Sequence, residues 1–260
     1  MRLFVNNSGN VPHNSGNILD YQRNLGNCYM HKSGNNYFQG SMWPVNVQNG
    51  FSFSLWFFRQ SASASVVPFS LGAFGSGRIF VSLNVQSGFI NWEGDPGYGR
   101  MDFSQANLLL NRWNMITFVL KSIDVADWEV YINGLKRPAT VFSNNLREDS
   151  RLARHIRPGQ GVSDSLYTAS FMIFDRTLDT EAVSTLYNSN GVCPYSLKES
   201  LVQYYLFENK KGKFLLNHAP RTIGMYQLTG HGITDIETGI PDQSTNTRWR
   251  DAYTLQAIVS

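Results

Sequence analysis

Cysteine is almost missing from this 260-residue chain: Cys28 and Cys193 are the only two. So small and widely spaced a pair builds no disulfide scaffold and offers no metal-ligand spacing, which favours two buried thiols. Charge is also scarce. Charged residues make up 16% of the sequence with a formal net charge of +3, and no Lys or Arg run follows a phosphate backbone, so nucleic acid is not an expected partner. No apolar run is long enough to cross a bilayer, and membrane insertion is not expected either. The opening MRLFVNNSGN turns polar after Val5 and lacks the apolar centre of a secretory signal. Synthesis in a cytoplasm and release by assembly or lysis are therefore expected, with a cytoplasmic or extracellular setting as the alternative.

What the chain does have is aromatic and alternating. Aromatics reach 13%, and this share, with so little charge, fits an all-β protein better than a helical one. The stretch 111–138, NRWNMITFVLKSIDVADWEVYINGLKRP, reads as a hairpin. Along 113–120 it sets Trp113, Met115, Thr117 and Val119 on one face and Asn114, Ile116, Phe118 and Leu120 on the other, as a strand buried in a sandwich requires. Along 128–132 it points Trp128, Val130 and Ile132 inward and Glu129 and Tyr131 outward. Asn133-Gly134 then closes a type I′ turn, because these two residues tolerate positive φ most cheaply, and a further strand starts near Leu135.

Upstream, FSFSLWFF at 51–58 alternates Phe51, Phe53, Leu55 and Phe57 against Ser52, Ser54, Trp56 and Phe58. Short strands are expected at 2–5, 27–31, 66–71, 78–85 and 88–92, punctuated by glycines, and 94–99 (GDPGYG) reads as a loop because Pro96 sits between glycines. The stretch 142–161 carries Arg147, Arg151, Arg154 and Arg157 with Glu148 and Asp149, and reads as a solvated loop or short helix. A strand at 167–175 leads into a short helix at 178–187, capped by Asp179 or Thr180, with Glu181 in its first turn and Ala182, Val183 and Leu186 as its apolar stripe. Further strands are read at 200–207, 214–216 and 225–228. The division expected is an N-terminal 1–40 of loops and an edge strand, a sandwich over 41–229, and an irregular arm at 230–260.

In this order the pieces resemble the laminin-G-like, concanavalin A-type lectin and glucanase superfamily in its bacterial and phage form. FSFSLWFF with Trp56 resembles the family's first core strand, RWNMITFVL its Trp-led central strand, and WEVYINGLKRP the strand, turn and strand that follow. FMIFDRTLDTEAVSTLYN resembles the closing strand and helix, carried by Arg176, Leu178, Asp179 and Glu181. The likeness covers about 41–190, with GNCYMHKSGNNYFQGSM similar to an opening strand and SLVQYYLFENKKGKFLLNHAP to an edge strand. It implies a two-sheet antiparallel jelly-roll sandwich, but no single function, since the family holds binders, hydrolases and structural parts.

Hydrolysis needs two carboxylates about 5–10 Å apart. Laminarinase-type members place them in a Glu-Xaa-Asp-Xaa-Xaa-Glu pattern, which here reduces to Glu93-Gly94-Asp95-Pro96-Gly97-Tyr98, with Tyr in the last place. No catalytic residue is assigned. Calcium is the family's commonest cofactor, but the acidic pair preceding the closing strand is replaced by Ala169-Ser170, and the five histidines are scattered, so no cofactor and no metal site are expected; calcium stays possible but unsupported, with Asp95, Asp102 and Asp164 the residues that could serve, although such lone loop aspartates are more often turn residues. Sugar binding would use exposed rings with Asn, Asp or Arg beside them: Trp92, Tyr98 and Arg100 first, then Trp43 and Trp249. Trp56, Trp113 and Trp128 read as core. The function expected is non-enzymatic recognition or assembly, as a phage or viral particle component: a capsid decoration, head fibre or tail-associated adhesin. Its arms at 1–17 and 230–260 would dock other virion proteins, its loops would meet surface glycans, and a homo-oligomer is left open. A cellular carbohydrate-binding lectin module is the alternative, and a divergent glycoside hydrolase the third reading.

Overall fold

Strands β3 (Phe51–Arg59) and β8 (Trp113–Leu120) lie side by side in antiparallel register, Phe51 opposite Leu120 and Phe58 opposite Trp113, and both are buried along their whole length. They sit at the centre of a seven-stranded antiparallel sheet in the order β1 (Tyr29–His31), β13 (Leu166–Phe174), β3, β8, β9 (Glu129–Ile132) and β10 (Leu135–Lys136), with β14 (Leu201–Tyr205) also on β13. A six-stranded sheet faces it, ordered β11 (Ala139–Asn144), β7 (Tyr98–Ser104), β6 (Ser87–Glu93), β5 (Arg78–Leu83), β4 (Val67–Gly72) and β12 (Ile156–Gln160). A small third sheet joins β15 (Phe214–Leu215), β16 (Leu228–His231) and β2 (Tyr37–Gln39). This is an all-β, two-sheet sandwich. The computed structural model describes residues 29–31, 37–45, 48–59, 65–72, 77–84, 87–93, 97–104, 108–110, 113–147, 155–160, 166–189, 191–206, 214–223 and 225–231.

The space between the large sheets is filled by rings. Phe53 meets Phe69 edge-on with centroids 4.9 Å apart, Phe103 meets Phe118 at 5.6 Å, and Trp92 stacks on Trp128 at 6.2 Å. Each such side chain taken from water stabilises the fold by roughly 1.5–3 kcal/mol. A second core lies on the opposite side of the seven-stranded sheet. Here Trp56, Trp113, Met115, Met172 and Phe174 pack beneath helix α1 (Thr180–Asn188), through its buried Val183 and Leu186, and beneath Leu197 and Ala219. Asp179 caps the helix, its carboxylate accepting from the Ala182 N–H at 2.8 Å, and Trp56 stacks on Tyr187 at 5.6 Å. Among the described residues α1 is the single α-helix, and no helix is long and apolar enough to cross a membrane.

Several expected elements shift. The loop read over 94–99 ends at Tyr98, where β7 begins. The charged stretch 142–161 contributes the end of β11 and all of β12; Pro158 is accommodated because β12 is an edge strand, where a missing N–H costs no ladder bond. The strand expected at 225–228 starts instead at Leu228, since Tyr226 adopts φ +55 and breaks the extended chain before it. β1 and β2 precede residue 41 yet pair with β13 and β16, while β16 runs through Gly230 to His231. The strand read at 2–5, Cys28, the arm at 1–17 and the arm from 232 onward lie outside the described residues. Cys193 is a free, buried thiol, pushed up to about 12 by burial against a smaller pull from Lys198.

The Asn133-Gly134 turn has both residues at positive φ, +53 and +79. Asn133 also extends the ladder: its N–H donates to the Met115 carbonyl at 2.8 Å, and its side-chain oxygen accepts from the Met115 N–H at 2.9 Å. A Cβ on Gly134 would come within 2.9 Å of the Tyr187 ring on α1. Gly134→Ala is therefore expected to cost about 1–3 kcal/mol in urea unfolding, from left-handed backbone strain and displacement of the helix.

Beside this turn, Glu129 accepts from Lys121 at 2.7 Å, Lys136 at 2.5 Å and the Tyr131 hydroxyl at 2.8 Å, and Tyr131 also pairs with Thr180 at the start of α1. Burial pushes the Glu129 carboxyl up, but these three donors outweigh it and hold it at about 2. A carboxylate depressed in the fold stabilises it fully above its ordinary titration range, and that contribution is lost as pH falls toward 2. Glu129→Gln is expected to lower stability at pH 7 by about 1–2 kcal/mol, allowing for the exposed lysines, and to flatten the loss between pH 5 and 2 in acid titration followed by circular dichroism.

Candidate functional site

Since the seven-stranded sheet is covered on both sides, the outer face of the six-stranded sheet is where this sandwich presents strand side chains outward. Parity decides which ones. β6 pairs with β7 so that Phe89 lies opposite Asp102, Asn91 opposite Arg100, and Glu93 opposite Tyr98. The intervening Ile90, Trp92, Met101 and Phe103 are all in the inner core. On β5 the same parity brings out Arg78 and Phe80, opposite Glu93 and Asn91.

Arg100 is the centre of the face. Its guanidinium makes a two-pronged contact with Asp102, Nε to Oδ1 at 2.5 Å and Nη2 to Oδ2 at 3.2 Å. The carbon of its planar head lies 4.1 Å from the Phe89 ring centroid and 4.6 Å from that of Phe142. The hydrogen bond to Asp102 outweighs burial and raises the guanidinium above its already high ordinary value. Phe142 arrives here because the register of β11 against β7 shifts between Val141 and Ser143, leaving it as the extra residue of a bulge, 67% exposed. The Tyr98 hydroxyl donates to Asn91 Oδ1 at 3.2 Å. At the other end Arg78 lies 4.3 Å over Phe80 and pairs with Glu93 at 3.3 Å, while Phe80 meets Phe89 edge-on at 5.9 Å. The result is a strip of two cations interleaved with three rings, Arg78, Phe80, Phe89, Arg100 and Phe142, with oriented polar groups along it. Glu93 and Asp102 each face an arginine.

The structure places Tyr98 and Arg100 two residues apart on β7, on the same outward face. Trp92 is corrected: it is fully buried, one residue out of phase with the outer face, and its ring is stacked on Trp128. The alternation of Phe89, Asn91 and Glu93 against Ile90 and Trp92 carried that signal in the sequence. Trp43 belongs elsewhere, beside β14, with its backbone N–H donating to Gln203 Oε1 at 2.9 Å, its ring edge-on to Tyr226 and Arg221 5.8 Å above it. Trp249 and Asp95 lie outside the described residues. Sequence reasoning missed Phe80, Phe89, Asn91 and Phe142.

Among the described residues no three His, Cys, Asp or Glu side chains converge as metal ligands. Where the resemblance places acids for calcium, Ala169 is buried, and Ser170 is a bulge residue at φ +46 whose hydroxyl donates to the Gly191 carbonyl at 2.5 Å.

No protein-family model matches the chain, and no curated protein matches it. Solved structures do. A protein from Bacteroides ovatus to which carbohydrate binding is ascribed superposes with a TM-score of 0.53 at 14% identity, over 82% of this chain and 62% of its own. The receptor-binding domain of a botulinum neurotoxin C/D mosaic serotype gives 0.52 at 15% identity, over 63% of this chain and 42% of its own. That of botulinum neurotoxin D gives 0.50 at 15% identity, over 63% and 44%. The chain thus spans less than half the length of these toxin domains. At such identities the likeness shows a shared β-sandwich fold.

Structural and displayed rings differ in what they cost to remove. Trp92→Ala is expected to destabilise by about 3–5 kcal/mol, and Phe142→Ala by no more than about 0.5 kcal/mol, in parallel urea titrations. Equal costs would mean Phe142 is part of the packing.

Proposed function

We propose that this protein is a non-catalytic recognition module of the lectin-type sandwich kind, and that it takes glycans on the open face of the six-stranded sheet. The carrying observation is Arg100, clamped by Asp102 and held between Phe89 and the exposed Phe142. A guanidinium fixed in plane keeps its remaining donors oriented, and an exposed ring beside it accepts the apolar face of a pyranose; recognition of this kind needs both. Tyr98 and Asn91 extend the polar edge of the same surface. The fold likeness supports the reading, since the neighbours are described as binding domains, one of receptors and one of carbohydrate. The sequence landmarks add the concanavalin A-like, laminin-G-like form. On this face Glu93 and Asp102 are each neutralised by an arginine, which suits binding better than two-carboxylate hydrolysis.

The Asn- and Gly-rich turn repertoire favours a second element of the reading, that the module is carried on a phage or viral particle with this face outward. Cosedimentation of the chain with purified particles tests that setting.

On a glycan array the isolated protein is expected to bind with Kd values between roughly 1 mM and 1 μM. Arg100→Ala and Phe142→Ala should each weaken that binding about tenfold or more while leaving the thermal midpoint in place. Binding unchanged in both variants would remove this face from the account. Sugar release that disappears in Glu93→Gln would return the glycosidase reading.

A further inference from the structure

Away from the sheet face, the described surface has a concavity whose lining mixes an exposed ring with uncommitted polar groups. It lies on the cap over the seven-stranded sheet, has a volume of about 550 Å3, and is lined by Tyr195, Ser196, Lys198, Glu199, Pro220 and Arg221. Two short 3-10 turns, Tyr195–Leu197 and Pro220–Thr222, form its walls. Each is pinned from beneath. Leu197 is buried in the second core, and the first turn is closed by the Leu197 N–H to the Pro194 carbonyl at 3.0 Å. In the second turn Thr222 is buried: its hydroxyl donates to the Val202 carbonyl at 2.5 Å and accepts from Asn217 Nδ2 at 2.7 Å, while Asn217 Oδ1 accepts from the Tyr204 N–H at 2.8 Å. The walls are therefore set by the fold before any ligand arrives.

The lining has three features that packing does not require. The Tyr195 ring is 88% exposed, and its contact is with the Lys198 ammonium, 5.4 Å from the centroid. A large ring held at a surface with so little burial gives the fold almost no hydrophobic stabilisation. Among the described residues the Ser196 hydroxyl and the Glu199 carboxylate have no hydrogen-bond partner. Arg221, by contrast, is locked, donating to Asp175 at 2.6 Å and to the Glu199 carbonyl at 2.9 Å with its head over Trp43. Lys198 and Arg221 balance Glu199 and Asp175, so the cleft carries no net charge to select an ion.

We propose that this cleft is a second saccharide site, for a neutral hexose unit. The ligand class rests on the glycan-recognition reading above; the place rests on the cleft alone. The sugar's apolar face stacks on Tyr195 beside Pro220, while its hydroxyls donate to Glu199 and accept from Lys198 and Ser196. Charge balance and the mix of donors and acceptors fit a polyhydroxylated neutral ligand better than a phosphate or a carboxylate, which would leave Glu199 facing a like charge. The volume is of the size that small-ligand sites have, and holds a mono- or disaccharide.

The test is titration of the full chain with glucose, galactose, mannose and N-acetylglucosamine, followed by amide and side-chain chemical shifts. At least one sugar should give saturable shifts at Tyr195, Lys198 and Glu199, with a Kd on the order of 1 mM. Tyr195→Ala should weaken this about tenfold or more with an unchanged thermal midpoint, while Arg100→Ala leaves it intact. Saturable shifts confined to the sheet face would overturn the cleft and leave the recognition reading standing. Shifts at the cleft that persist in Tyr195→Ala would overturn the stacking role and the proposal with it. With no saturable shift at either place, both fall. Shifts at the cleft alone would support this site and remove the sheet face.

Discussion

One sheet of this sandwich is buried on both sides, and that constraint organises everything else. β3 and β8 divide two apolar cores: Phe51, Phe53, Leu55, Ile116 and Phe118 face the opposing sheet, and Trp56, Phe58, Trp113, Met115 and Val119 face the helical cap. A strand so placed needs partners for its buried hydroxyls, and the two serines of β3 have them. The Ser52 hydroxyl donates to the Arg176 carbonyl at 3.0 Å and accepts from the Leu178 N–H at 2.9 Å, which binds β3 to the turn that launches α1. Ser54 pairs with Thr117 across the strands at 3.0 Å. Of the serines between the phenylalanines, Ser52 is therefore a fastening for the cap and Ser54 one between strands; neither is a solvent face.

Which parts of this were legible in the sequence follows from where the stabilisation is local. The turn at Asn133-Gly134 was readable because its dihedral requirement is met by those two residue types, and the cap at Asp179 because one carboxylate meets one N–H within a single turn. β7 was hidden because YGRMDFS interleaves small, charged and apolar residues behind the sequence Gly94-Asp95-Pro96-Gly97, and only pairing with β6 and β11 makes it a strand. β12 was hidden by Pro158-Gly159, a pattern that a central strand forbids and an edge strand tolerates. Tertiary pairing overrode local preference in both cases.

The candidate face shows the same division. Tyr98 and Arg100 could be named from residue type, since a ring and a fork near a loop suit recognition. Placing Trp92 with them ignored the period of two that sends adjacent residues to opposite sides of a sheet. Phe142 could not be found at all, because the bulge that exposes it depends on how β11 registers against β7. Sequence type identifies chemistry; parity and register decide where it is displayed.

The face and the cleft lie on opposite outer sides of the sandwich, separated by two packed sheets and the cap. Sheets stack about 10 Å apart, so a short oligosaccharide cannot reach both. Each surface is shallow and partly exposed, and an exposed contact contributes little, since water competes for every hydrogen bond it makes. Tight binding at a single site is therefore not what this geometry supplies. Affinity would have to come from engaging several sugars at once, on a branched glycan or across a surface dense with chains, where effective concentration replaces contact area. A scaffold whose sheets cannot shift against each other without breaking ring contacts such as Phe53 on Phe69 suits that use: it would hold the two proposed sites at a fixed separation, and the entropy of arranging them would be settled on folding and not on binding.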